Sequence, residues 1–423
     1  MFLIIVWTFA VTLARTIRRP NDFSEAHWLL DYRFGFIKRG LVGAISNRVT
    51  ETLGIEMTPN VILALSAIFL LLLSGALLYL LHRLSIASRR YDRDGVLVGL
   101  VFASSPFIVM SAHTIGYFDS LILTLTIISI ALVLHGRPYA ATVPAIVAIL
   151  AHENYMLVGF PLVCLASFDS CVRKKEQNRW TSHLLAACIS VVAFLVVSAL
   201  DLIHPDRGEL QAQLTAHLDS FGFVSTRSAA VAIYQTTSLI DFFRHQSEFF
   251  FARLFHPQIW GCVGATMMTL VVFMHERFRL RPYSLFSLMI LGAAFAPLAM
   301  HAIAWDTARI STYPIAGILL GIWILAKNRT PDTRHSSDAV LLVATIALVM
   351  NVFITIPLMD GEVDRLTFLQ RALLYAPAMI LLVAVCIERQ LPHWLAEFTA
   401  TPPAGEKHSN MTDATRRDLQ GSQ

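Results

Sequence analysis

Four short stretches concentrate side chains able to do chemistry in a chain that otherwise avoids charge. Asp31 to Ile45 reads "DYRFGFIKRGLVGAI" and places Asp31, Arg33, Lys38 and Arg39 within nine residues, with Asp22 a little upstream. "SAHTIGYFDSL" carries His113 and Asp119, "AHEN" carries His152 and Glu153, and "AWDTARI" carries Asp306 and Arg309. Guanidinium and ammonium groups bind anionic oxygens, and arginine does so through planar, paired hydrogen bonds. A carboxylate or imidazole beside them can take a proton from a hydroxyl. Together these residue types suit an anionic ligand next to a group that loses a proton.

Each stretch also has a plainer reading. Asp119 and Asp306 stand where helices begin, and an acid is favoured at a helix N-terminus. Arg309 is able to snorkel to an interface, and Arg33, Lys38 and Arg39 to contact lipid headgroups. His152 and Glu153 fit these readings least well, because ionisable groups between two apolar runs are costly unless they face protein or water. Independent caps have no reason to place acid, imidazole and guanidinium at one depth.

That depth is set by the elements around them. Hydrophobic residues make up 56% of the 423, charged residues 15%, and the mean hydropathy is +0.60. A soluble domain is nearer half apolar and a quarter charged. The apolar residues fall in blocks of roughly 18 to 22, the length of helix that crosses a bilayer. Starting from "MFLIIVWTFAVTLA", about twelve such blocks follow one another. The expectation is an all-α, polytopic bundle of about 12 transmembrane helices forming a single domain over residues 1–398, with a disordered cytoplasmic tail over 399–423. The net charge of +4 is spread through the connections, which gives no basis for a nucleic-acid partner. Five cysteines show no paired spacing, so neither a disulfide framework nor a thiolate metal site is expected.

Lysine and arginine collect in alternate connections: "HRLSIASRRYDRD", "GRP", "VRKKEQNRW", "HERFRLRPY" and "KNRTPDTRHSSD". The short connections between them hold a single arginine, in "AWDTAR". By the positive-inside rule the basic set is cytoplasmic, both termini are cytoplasmic, and the four chemical stretches face outward. Two external loops are long, about residues 15–60 and 204–256. In the first, Leu41, Ile45, Val49 and Leu53 recur every fourth position, the pattern of a helix lying on the membrane surface. In the second, "SLIDFFRHQSEFFFARLF" sets Leu239, Phe242, Phe243, Phe250 and Leu254 close to one face, and a second interfacial helix is expected.

An outward-facing site has no nucleotide sugar or ATP supply, so an activated substrate must arrive on a lipid. In helix number, orientation and a long first external loop bearing an acid and an interfacial helix, the chain resembles the GT-C superfamily of integral-membrane glycosyltransferases. "DYRFGFIKRGLVG" also looks like a motif of bacterial membrane proteins of this kind. The resemblance implies a GT-C-like fold in a bacterial plasma membrane and an inverting transfer of sugar from polyprenyl phosphate to an extracytoplasmic glycan, lipid or protein. It implies a catalytic base in the first loop, here Asp31 or Asp22, with Arg33, Lys38, Arg39 and Arg309 on the donor phosphate. His113, Asp119, His152, Glu153 and Asp306 would complete the pocket. Some members use a divalent metal ion, and Asp31, Asp119 and Glu153 are the acids that would hold one. A transporter or flippase of lipid-linked glycans and an O-antigen-type polymerase are the rival functions.

Overall fold

The computed structural model describes residues 1–87, 90–174, 177–202, 206–329, 337–355, 358 and 364–399. The tail expected over 399–423 lies, but for its first residue, outside them. Among the described residues the chain is helical, apart from a two-residue antiparallel pairing of Ile86–Ala87 with Arg90–Tyr91 and an isolated bridge between Ile115 and Tyr117. It divides into a large compact unit, Met1–Ala378, and a small one, Met379–Gln423. In the small unit the described residues form one continuous helix, the greater part of Ala376–Thr399.

Numbered in chain order, α1 is Phe2–Ala14, α2 Asp22–Leu29, α3 Gly40–Leu53, α4 Pro59–Ser85, α5 Arg93–Ala103 and α6 Pro106–His113. Then follow α7 Asp119–Leu134, α8 Pro138–Ala151, α9 Tyr155–Val158, α10 Phe160–Lys174 and α11 Gln177–Leu202. The second long loop contributes α12 Arg207–Asp219, α13 Ser228–Thr236, α14 Leu239–Gln246 and α15 Phe250–Leu254. The remainder are α16 Pro257–Phe278, α17 Leu285–Phe295, α18 Thr307–Asn328, α19 Asp338–Phe353, α20 Phe368–Leu374 and α21 Ala376–Thr399.

Among the described residues, six stretches are long and apolar enough to cross a membrane, or seven if the bent pair α20–α21 is one crossing. α1, α7, α8 and α19 are apolar but run only 13, 16, 14 and 16 residues, short of the roughly 20 that about 30 Å of hydrocarbon requires. Sequence hydropathy counts such blocks as spans because it cannot see where a turn ends them. These stretches differ in surroundings: 94% of the most apolar window of Arg93–His113 is buried, against 11% for Trp180–Leu200. The second presents Leu184, Val192 and Leu195 outward, a surface suited to hydrocarbon in a membrane-embedded protein.

Helix starts follow ordinary cap chemistry. The Asn21 side chain accepts from Ser24 N–H at the head of α2, Thr58 caps α4, and proline opens α4, α6, α8 and α16. Gly54, at φ 65°, ends α3 in the left-handed turn a glycine adopts freely. α2 and α3 then pack so closely that a Cβ on Gly43 would lie 1.8 Å from the Leu30 carbonyl oxygen. No side chain fits there, so Gly43 is what permits the first loop to fold back on itself.

α3 forms as expected, with Ile45, Val49 and Leu53 exposed along one face. The aromatic stretch of the second loop is not one helix: α14 ends at Gln246, a 3-10 turn covers Ser247–Phe249, and α15 follows. Arg253 fastens the break, donating to Gln246 Oε1 at 2.6 Å and to the His301 and Ala304 carbonyls at 3.1 Å.

Candidate functional site

The four chemical stretches do not form one cluster. They sort into three networks of arginine and carboxylate, two buried and one partly exposed.

The first buried network is built on Arg39, Glu153 and His152. Arg39 is the residue before α3 and has left-handed backbone, φ 61° and ψ 10°, a conformation that disfavours any side chain with a Cβ. That turn carries its guanidinium inward, where Nη2 and Nε donate to Glu153 at 2.5 and 3.2 Å and Nη2 also donates to the Tyr234 hydroxyl at 2.9 Å. The guanidinium lies 4.7 Å from the centre of the Tyr234 ring. Nη1 of Arg39 has no protein acceptor among the described residues. Glu153 reaches the network because α8 stops at Ala151 and α9 begins at Tyr155, so "AHEN" is a break between two helices. Burial works against the Glu153 carboxylate, yet Arg39 and His152 hold it well below the ordinary range; burial likewise opposes charge on Arg39, which Glu153 and Tyr234 keep firmly protonated. His152 is buried and shifted down, first by desolvation and then by Arg39. Its Nδ1 lies 3.2 Å from the Asn154 backbone nitrogen and 3.3 Å from Glu153 Oε2.

The second buried network joins Asp119, Asp306 and Arg309. Neither acid caps its helix through its side chain. Instead Arg309 Nη2 is 2.8 Å from Asp306 and Nη1 3.6 Å from Asp119, with the guanidinium 5.0 Å from the centre of the Tyr117 ring. Arg309 is buried, and among the described residues its Nε has no hydrogen-bond partner. Asp119 also acts electrostatically on His152, so the two buried networks adjoin.

An aromatic row runs between them. The Phe23 ring centre is 6.4 Å from that of Tyr117 and 6.1 Å from that of Tyr234, and Tyr234 lies 4.8 Å from Phe242 on α14. Two buried arginines thus flank a chain of rings, one over each tyrosine. His27 stands in the same row, 4.9 Å from Phe23 and 6.4 Å from Tyr234.

The third network is shallower. Asp31 caps the 3-10 turn Tyr32–Phe34, accepting from the Arg33 N–H at 3.0 Å, and pairs with the Arg33 guanidinium at 2.6 Å. Asn47 Nδ2 donates to its other oxygen at 2.8 Å. Burial would raise the Asp31 carboxyl, but Arg33 and Asn47 outweigh it and hold it below its ordinary value. The expected grouping of Arg33, Lys38 and Arg39 around one phosphate is therefore not assembled: Arg33 serves Asp31, Lys38 Nζ donates to the Thr237 carbonyl at 2.8 Å, and Arg39 serves Glu153. His113 ends α6, with its carbonyl accepting from Arg18 Nε at 2.9 Å. Asp22 begins α2 and accepts from the Thr226 hydroxyl at 2.5 Å.

Glu25 and His27 are functional candidates that sequence pattern alone passed over. Glu25 lies one helical turn after Asp22, and burial followed by repulsion from Asp22 pushes its carboxyl from 4.5 to about 7, with Arg19 opposing. The signal was present in "DFSEAHWL", where an acid and a histidine occupy a helix whose every residue from Ser24 to Leu29 is buried. Among the described residues no group of three or more His, Cys, Asp or Glu side chains is arranged to hold a metal ion. Asp31, Asp119 and Glu153 each face an arginine instead.

Beside these networks lies an apolar groove of about 720 Å³ lined by Leu157, Ile240, Phe243, Phe250, Phe251 and Ile303, with Ser247, Ala299 and Ala302. Leu157 follows Glu153 by one turn of chain, and Ile303 precedes Asp306 by three residues. α14 supplies both sides: Phe242 packs on Tyr234 while Ile240 and Phe243 line the groove. No family model, no curated protein and no solved structure matches the chain.

Proposed function

We propose that the chain is a GT-C-like integral-membrane glycosyltransferase that moves a sugar from polyprenyl phosphate to an extracytoplasmic glycan, lipid or protein. One observation carries the reading: two buried guanidinium groups, Arg39 paired with Glu153 and Arg309 set between Asp119 and Asp306, adjoin one another, and α14 joins the first of them to an apolar groove. Among the described residues the buried Arg309 Nε has no hydrogen-bond partner, and the hydrogen bonds of Arg39 run through Nε and Nη2. An anion that brings its own apolar tail fits both features, the phosphate to the arginines and the chain to the groove. In this reading the helices α1, α7, α8, α16, α19 and the bent pair are crossings as well, which gives twelve. Both termini are cytoplasmic, and the networks lie at the outer face of a bacterial plasma membrane.

The phosphate is the leaving group of the transfer, so cations fixed beside it gain strength as it gains charge. The acceptor hydroxyl needs a carboxylate that is unprotonated at working pH yet still basic. Asp31 is committed to Arg33 and Asn47, a structural role at the turn before α3. The base falls to the Asp22–Glu25 pair, in which Glu25 is the member poised near neutrality.

The test is transfer of radiolabelled sugar from polyprenyl phosphate in membranes carrying the chain. The rate is expected to rise with pH through about 7, and Glu25→Gln is expected to lower it and remove that limb. Sugar-lipid that crosses the bilayer without being consumed would instead make the protein a flippase.

A further inference from the structure

His27 is 5% exposed, and its Nδ1 lies 2.7 Å from the Phe23 carbonyl oxygen. A carbonyl only accepts, so Nδ1 carries the proton and Nε2 presents a bare lone pair. That nitrogen is buried and has no hydrogen-bond partner among the described residues. A buried acceptor left without a donor is uncommon in a folded protein and calls for an explanation. The neighbouring groups do not supply one. Arg39 directs its described hydrogen bonds to Glu153 and Tyr234, and His152 lies against Asn154 and Glu153. Desolvation, then the charge of Arg39, pushes the His27 imidazole down to about 3, so the ring stays neutral under any physiological condition.

We propose that His27 Nε2 accepts a hydrogen bond from a hydroxyl of the bound sugar, making His27 a specificity-determining residue of the site. This rests on the donor reading above and divides the ligand chemically. Arg39 and Arg309 take the anionic part. An acceptor-only nitrogen repels an anion and requires an O–H or N–H donor. The half-buried ring of Phe23, 4.9 Å from His27, offers apolar surface to the C–H face of a pyranose or furanose, while the Tyr234 ring next to it carries the Arg39 guanidinium. A hydroxyl-bearing ring held against Phe23, with its phosphate turned toward the arginines, meets these features. A site built to bond a hydroxyl also discriminates strongly against the analogue lacking it.

The experiment uses the full chain in lipid nanodiscs and measures binding of undecaprenyl phosphate, a panel of its hexose and pentose conjugates, and single-deoxy analogues of the tightest conjugate. His27→Phe is expected to weaken that conjugate by about tenfold or more and to leave bare undecaprenyl phosphate unchanged. One deoxy analogue should bind wild type as weakly as the variant binds the parent sugar, and should not discriminate between the two proteins. His27→Gln, which retains an acceptor oxygen, should recover part of the loss, with unfolding temperatures confirming that each variant is folded. Equal weakening of the bare lipid, or a His27 effect that survives every deoxy analogue, overturns the hydroxyl contact while leaving the donor reading intact. If neither the bare lipid nor any conjugate binds wild type, the donor reading falls and the contact falls with it.

Discussion

Arg33 and Arg39 stand six residues apart in one motif and meet opposite fates. The Arg33 side chain is 46% exposed and closes a local turn with Asp31, two residues away; the Arg39 side chain is 6% exposed and bonds Glu153, 114 positions distant. What separates them is backbone. Gly35 and Arg39 both have positive φ, so the chain reverses between the two arginines and only the second is turned into the bundle. Residues of one type in one motif are therefore no guide to a shared task. Among the described residues Arg39 and Arg279 are the non-glycine residues with left-handed backbone, and of the two arginines in this motif Arg39 alone bears that strain.

The sharpest way to break this contrast is to remove each cation in turn. Arg39→Ala leaves the partly buried Glu153 carboxylate without its main counter-charge, a loss of at most about 3–5 kcal/mol, and is expected to abolish measurable transfer. Arg33→Ala removes a half-exposed pair worth about 1 kcal/mol or less and should leave transfer near wild type. Chemical unfolding in detergent, alongside the transfer assay, reads both. Next in size is Glu25→Gln, expected to lower turnover by about 10²–10⁴-fold, the usual contribution of a general base. The sign of its stability effect is distinct. Because folding raises the Glu25 pKa from 4.5 to about 7, stability is lost as pH rises through that window. The variant should therefore unfold at higher temperature than wild type at pH 8 and match it at pH 4.

Much of the scaffold was legible from hydropathy, because burial in lipid demands apolar runs whatever the fold. Every apolar block is helical where it is described. The number of crossings was less legible, since α1, α7, α8 and α19 end before a bilayer's thickness is reached. Within the site, Arg39, Glu153, Asp119, Asp306 and Arg309 stood out as charges out of place. Their pairing did not, because partners such as Arg39 and Glu153 are joined only by tertiary structure. Phe23, Tyr117 and Tyr234 were invisible for the opposite reason: an aromatic residue in an apolar chain carries no signal of its own. Glu25 and His27 sat in a short buried helix that charge counting treated as loop.

Two smaller effects refine the comparison. Gly43→Ala forces a methyl against the Leu30 carbonyl and should cost about 1–3 kcal/mol, the range for overpacking. By separating α2 from α3 it should disturb the Asp31 and Arg39 networks together, which neither arginine substitution does. Asp31→Asn is the mildest. The depressed pKa of Asp31 contributes stability that is present above its ordinary value of 3.8 and lost as pH falls through the folded value. The variant should flatten the acid end of the stability curve and leave the pH dependence of transfer unchanged, as followed by unfolding temperature from pH 2 to 6.

The central claim is that the buried arginines hold a lipid-borne phosphate and the exposed one does not. Its most direct test is the affinity of the reconstituted protein for undecaprenyl phosphate in wild type, Arg39→Lys, Arg309→Lys and Arg33→Lys, substitutions that keep charge but lose the planar fork. Weakening of about tenfold or more is expected for the two buried positions, with Arg33→Lys indistinguishable from wild type. Equal affinity in all four proteins, or a loss confined to Arg33→Lys, contradicts the account.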